Sequence, residues 1–358
     1  MQARFWLTAG LTLATTMASA ASAAPEESPK AAVMAPLAVQ RLLLDVAALP
    51  DGRLVAVGER GHVLTSQDSG ATWRQSPVPV NASLTAVYFT DARHGWAVGH
   101  DEVIVRTADG GASWTLNHYA PARQQPLLDV WFDAAGHGFA IGAFSTVYRS
   151  GDGGASWQGA VFAPQPLPAP PSVPHGASVA TAAVAPKDAM HDDEGIAQPH
   201  LNAIAADGRG RLYIAGEAGH LFRSDDAGEH WFVLPSPYAG SFFGLLPLAG
   251  DALLAFGLRG HLYRSEDAGR TWEALPSGTE ALLAGATRLA DGTIVIVGLA
   301  GAVLVSSDQG HHFALLQQSD RKAFDAVAAV PGGVLVVGES GARRIELAPR
   351  APDARGSR

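Results

Sequence analysis

Six times along this chain the pattern Ser/Thr-x-Asp-x-Gly-x-x-Trp/Phe returns, and that recurrence limits the possible fold more than any other feature. The copies are Ser66 to Trp73, Thr107 to Trp114, Ser150 to Trp157, Ser224 to Trp231, Ser265 to Trp272 and Ser306 to Phe313. Their aspartates, Asp68, Asp109, Asp152, Asp226, Asp267 and Asp308, are separated by 41, 43, 74, 41 and 41 residues. A period near 41 is the length of one four-stranded propeller blade. Upstream of each copy lie an apolar strand ending in Gly, a short loop and a second apolar strand, as in Val55 to Gly61 followed by His62 to Thr65. A further strand precedes each pair, as in Leu84 to Phe89, and a fourth begins at the aromatic residue that closes the pattern.

The Gly-anchored pair appears a seventh time at Gly338 to Gly341, with no aspartate pattern after it. The expectation is an all-β, seven-bladed β-propeller of four-stranded antiparallel blades over residues 36–347. Because the seventh unit lacks an outer strand, Pro36 to Arg41 is expected to supply one and close the ring. The aspartate patterns read as staples. A short Asp side chain accepts hydrogen bonds from its own turn, the Gly two residues on takes positive φ at little cost, and the aromatic ring is buried. Trp73, Trp114, Trp157, Trp231, Trp272 and Phe313 are therefore assigned to packing, and the six carboxylates are not assigned to catalysis.

Residues 1–23 have the layout of a secretory signal, with Arg4, an apolar run from Phe5 to Met17 and the small residues Ala21-Ser22-Ala23, which predicts a periplasmic or secreted protein. Residues 24–35 are expected to be a flexible lead-in and 348–358 a disordered tail. No later stretch reaches the roughly 18 apolar residues that span a bilayer. There is no cysteine, so neither a disulfide nor a thiolate metal site is available. A net charge of -9 without a basic run argues against nucleic-acid binding. The long interval hides about 33 extra residues, placed at 163–199 between blades three and four. Rich in Pro and Ala, they read as an extended loop leaving on the Gly-loop side. His175, His191, Asp192, Asp193, Glu194 and His200 lie in or beside it, but their spacing fits no closed tetrahedral site, so neither metal nor cofactor is assigned.

The units resemble those of photosystem II stability and assembly-factor propellers, which share neuraminidase-type repeats with sialidases and sortilin-type receptors. The likeness is strongest in the second unit, where Leu84 to Asp91 is followed by Gly95-Trp96-Ala97-Val98-Gly99 and then Val105 to Trp114. It implies a lumenal or periplasmic, non-enzymatic propeller that assists assembly of a membrane protein complex and uses basic residues for partner contact; a monomer is expected. Arg106, Arg149, Arg223 and Arg264 occupy one place in four units, where the others hold Thr65, Val305 and Ile345. Two roles are open to them: contact with a partner, or capping of loop carbonyls while their stems cover apolar surface. The Gly-loop face, with Arg60, His100, Asp101, Phe144, Arg259 and the long insertion, is the candidate binding surface.

The alternative is an exported sialidase-like or other glycoside hydrolase. Sialidase chemistry asks for an arginine cluster, a tyrosine nucleophile assisted by a glutamate and an aspartic acid; most other glycosidases ask for two flanking carboxyl groups. The expected Arg-Ile-Pro motif is absent, and Tyr148 and Tyr263 stand at equivalent places in two units. Carboxylates outside the aspartate patterns include Asp45, Asp101, Glu102, Asp129, Glu217, Asp325 and Glu339, several of them at the start of an inner strand or in a Gly loop, where they should face the channel or its rim.

Overall fold

In a computed structural model of the protein, residues 29–168 and 198–347 are described, and they form seven antiparallel sheets around one axis. In blade one the strands run outward as Leu43–Ala48, Leu54–Gly58, Val63–Ser66 and Arg74–Gln75. Blades two to six repeat this order, beginning at Leu84–Phe89, Leu127–Phe132, Leu201–Ala206, Phe242–Pro247 and Leu283–Arg288. The second strand of every blade is buried along its whole length. That burial explains runs such as Leu54-Val55-Ala56-Val57, which do not alternate with polar residues: each blade face is covered by a neighbouring blade, so both sides of the strand must be apolar. The core is accordingly divided into seven apolar clusters, one at each seam between blades.

Closure of the ring departs from expectation. Blade seven consists of Phe324–Val330, Gly333–Gly338 and Gly341–Glu346 only, and the N-terminal segment adds no strand to it. Ala38–Gln40 forms a short 3-10 turn instead. Ala38 is buried in the seam between blades one and seven, where Leu43, Leu54, Leu335 and Val337 meet, so apolar packing between blade faces closes the ring. Residues 32–35, expected to be flexible, are tied to blade one. Ala32 N–H donates to the Val78 carbonyl (3.0 Å), Ala35 N–H to Gln75 Oε1 (2.7 Å), and Gln75 Nε2 returns a bond to the Val33 carbonyl (3.0 Å).

The described ends of the insertion also correct its expected course. Gln165–Pro166 pairs in parallel with Phe232–Val233 as a fifth strand on the rim of blade four. The returning end does lie on the Gly-loop face: Ser145 N–H donates to the Pro199 carbonyl at 2.9 Å. The expected signal, residues 169–197 and the expected tail 348–358 lie outside the described residues. Among the described residues no helix is long and apolar enough to cross a membrane.

Candidate partner-binding faces

Antiparallel blades have two kinds of ends, and they meet solvent on opposite faces. On one, the third and fourth strands are joined by the aspartate turns. Ser66 Oγ donates to Asp68 Oδ1 (2.9 Å) and accepts from Gly70 N–H (2.9 Å), while Thr72 supplies its N–H to Oδ1 (2.8 Å) and its hydroxyl to Oδ2 (2.6 Å). The hydroxyl bond from Thr72, with its backbone bond next, holds the Asp68 carboxyl down at about 2. The same closure recurs in all six copies, with Ser113, Ser156, His230, Thr271 or His312 completing the ring at 2.6–2.7 Å. This seventh position was overlooked in the sequence, although its restriction to Ser, Thr and His was visible there.

The repeated arginines belong to this end and act between blades. Arg223 is 5% exposed; its Nη1 donates to the Ala268 carbonyl of the next blade's turn (2.9 Å) while Nε pairs with Asp225 (2.9 Å). Arg264, also 5% exposed, donates to the Gln309 carbonyl of the following turn (2.7 Å) and pairs with Glu266 (2.8 Å). Arg149 lies over the Phe139 ring and reaches the Gly228 carbonyl and Glu229 of blade four. Arg223 and Arg264 are thereby removed from the partner-contact candidates, because a planar guanidinium with buried stem and engaged N–H groups has little left to offer a second protein, whereas the Arg149 side chain keeps 31% of its surface exposed. Arg106 is half-buried at the same place. Arg53, which lies outside the repeated pattern, makes a fourth clamp by donating to the Gly110 carbonyl of blade two (3.3 Å).

At the opposite end the Gly loops share a backbone but not side chains. Arg60, Asp101, Phe144, Ala218, Arg259 and Ala300 hold the same place in six blades, each with φ between 52° and 60°. The next residue is Gly in four of them. At Gly260 an added Cβ would sit 1.9 Å from the Thr279 carbonyl oxygen, so that backbone approach excludes larger residues. Arg60, His100 and Arg259 are exposed and Asp101 half-buried; Phe144 is 50% exposed, with its ring edge-on to His200 at 4.9 Å. These expected candidates are thus brought to one accessible face.

Glu102 takes the place of the loop glycine in blade two and is fully buried. Tyr148 of blade three donates its hydroxyl to Glu102 Oε2 at 2.6 Å, and Arg123 approaches Oε1 at 3.4 Å. Burial first, and then the Glu102 carboxylate, push the Tyr148 hydroxyl up to about 12. The structure thus pairs a tyrosine with a glutamate, and buries the pair: Tyr148 is 7% exposed and Glu102 fully covered. Nearer the axis, Asp45 accepts from Val46 N–H and from Val87 N–H of the next blade (both 2.8 Å). Asp129 does the same with Val130 (2.7 Å) and Ile204 (2.8 Å). Burial raises Asp45 to about 6 and Asp129 to about 7 despite these bonds, the Asp45 charge adding to the rise at Asp129. Burial, then Glu339, takes Asp325 to about 6. Among the described residues no group of three or more His, Cys, Asp or Glu is arranged to hold a metal ion.

Fold and repeat define the class: a seven-bladed β-propeller built from units stapled by aspartate turns. Residues 71–126 match the family model described as Photosynthesis system II assembly factor YCF48. The photosystem II stability/assembly factor HCF136 of Arabidopsis thaliana is 31% identical over 81 residues, 20% of this chain and 20% of that protein. The chain therefore matches only about a fifth of that relative's length. A structure of YCF48 bound to a D1 peptide superposes with a TM-score of 0.62 at 18% identity, covering 88% of this chain and 98% of that one. The GH74 enzyme of Niastella koreensis shares the fold at a TM-score of 0.59 and 15% identity, over 87% of this chain and 44% of the enzyme. Both structural likenesses concern the fold, which carries unrelated functions. The chain is thus similar to photosystem II assembly factors over residues 71–126 and shares the propeller fold of YCF48 over most of its length.

Proposed function

We propose that the protein is an exported, non-enzymatic accessory or assembly factor whose Gly-loop face binds a membrane protein complex of the cell envelope. The observation that carries this reading is the contrast among loop tips: one repeated left-handed backbone presents Arg60, Asp101, Phe144 and Arg259 at equivalent points of a rigid ring. Conserving the backbone while varying the tips is how a rigid scaffold presents a specific surface. The YCF48 structure with its D1 peptide supports a protein as the partner. The apolar run and small residues at the N-terminus support export, to the periplasm or beyond.

The hydrolase alternative asks for a carboxyl pair free to act on a glycosidic bond. Asp45 and Asp129 are each engaged by two backbone amides, which favours a role in joining blades. The test places photo-crosslinkers at positions 60, 144 and 259, and others at 72 and 270 on the aspartate-turn face. In intact envelopes one membrane complex is expected to be captured from the first set alone. Capture from neither set, or equally from both, would count against the proposed face.

A further inference from the structure

Blade seven ends at its third strand, and the edge it leaves can be read against the six complete blades. Gly338 pairs directly with Gly341 across a two-residue turn, whereas Gly58 and His62 are separated by three residues. The shorter turn places Arg344, not Ile345, opposite Leu335, in register with the Thr65–Val55 pair and with the four repeated arginines. In blade one, His62 turns its carbonyl inward to Gly58 N–H (3.0 Å), and Val63 turns its own outward to Ser76 N–H (2.8 Å). Backbone groups alternate along a strand, so Ala342 and Arg344, the counterparts of Val63 and Thr65, direct theirs to the vacant side. Among the described residues no hydrogen bond reaches those outward groups; the turn at Ala38–Gln40 sets the Val39 carbonyl against Gly341, as Val80 does against Gly61 in blade one, and so covers the loop end of the strand without pairing with Ala342 or Arg344.

We infer that an extended acidic segment of a partner protein adds to blade seven as its fourth strand. This contact lies on the outer rim and goes beyond the Gly-loop face. The charge of the edge selects the occupant. Arg344 is exposed and makes a single bond, from Nη2 to the Pro331 carbonyl (3.0 Å). In blade five the arginine at this place, Arg264, stands opposite Glu273. Arg106, Arg149 and Arg223 face Thr115, Gln158 and Phe232, so none faces a basic residue. A second copy added in the register of the other blades, whose fourth strands pair chiefly at the places of Arg343 and Arg344, would set Arg344 against the second copy's basic pair, and like charges across a strand pair repel; Glu346 lies beyond that register. Strand addition draws its affinity from backbone hydrogen bonds and its selectivity from the facing side chains.

The experiment uses the full chain and a labelled hexapeptide alternating valine with glutamate, with a valine–lysine peptide as comparison. Binding is followed by fluorescence anisotropy, and exchange at the Ala342 and Arg344 amides by NMR. Arg344→Pro removes an outward N–H and leaves the inner ladder intact, so it is expected to fold with an unchanged Tm and to bind the acidic peptide at least tenfold more weakly. Arg344→Ala, which keeps the edge and loses the charge, is expected to weaken binding about threefold. Both amides should exchange fast in the free chain and slowly in the complex. Equal binding by Arg344→Pro, equal affinity for the lysine peptide, or slow exchange in the free chain, meaning that its own residues fill the edge, would each overturn the inference. Phe144→Asp should leave peptide binding unchanged, so failure here is distinguishable from failure of the Gly-loop face.

Discussion

The two faces of the propeller use repetition in opposite ways. On the aspartate-turn face both backbone and side chains recur, every carboxylate is closed by the same partners, and arginines from one blade lock onto the turn of the next. On the Gly-loop face only the backbone recurs, and the tips vary from Ala218 to Phe144 to Arg259. Where side chains repeat, they meet a demand every blade shares: turning the chain and satisfying its N–H groups. Where they differ, that demand has already been met by the backbone, and the side chain is free to vary.

The sharpest break of this contrast pairs one aromatic residue from each face. Trp114 is 6% exposed and packs edge-to-face on Phe89, with centroids 6.2 Å apart. Trp114→Ala should cost about 3–5 kcal/mol and lower the Tm markedly, whereas Phe144→Ala should shift stability by about 0.5 kcal/mol or less. Equal melting temperatures for the two variants would remove the distinction.

A second comparison, of intermediate size, sets the aspartate turns against the acids near the axis, because their pKa shifts have opposite signs. Asp68 and Asp152 are held near 2, so the stability they contribute is present above the ordinary value of 3.8 and is lost as pH falls through about 2. Asp129 is raised to about 7: the folded chain keeps a proton that the unfolded chain has released, so its contribution is complete below 3.8 and is lost as pH rises through about 7. The protein is therefore expected to melt at a higher temperature at pH 5 than at pH 8. Asp129→Asn should flatten that slope, by on the order of 1–3 kcal/mol. Thermal melts across this range decide the matter, and parallel wild-type and Asn curves would refute the assignment.

The smallest effect sharpens the comparison at the backbone. Ala227 in an aspartate turn and Ala218 in a Gly loop both have positive φ, at 56° and 52°. Replacing either with Gly relieves left-handed strain but loosens the unfolded chain, so each should raise stability by about 0.5 kcal/mol. Denaturant midpoints should move together for both variants. A rise at Ala227 alone would mean that the left-handed backbone costs less in the loop tips than in the turns.

The period near 41, the Asp-x-Gly spacing and the Gly-ended apolar strands were sufficient to read the blade count and fold class. Each is a local demand repeated: a turn needs its carboxylate and its left-handed residues, and a strand covered on both faces needs unbroken apolar sequence. The place of the Gly-loop candidates was legible for the same reason, since strand alternation fixes which loops share a face. Tertiary structure alone decided what depends on a neighbouring blade. Arg223 and Arg264 look free in the sequence because the carbonyls they bind, Ala268 and Gln309, lie 45 residues away. Arg344 was misplaced by one position because the seventh turn is a residue shorter, a difference that only strand register reveals. The missing outer strand was visible as an absence of pattern, but Pro36 to Arg41 did not fill it: burying Ala38 in the apolar seam, with residues 32–35 tied to blade one, draws the segment away from strand pairing.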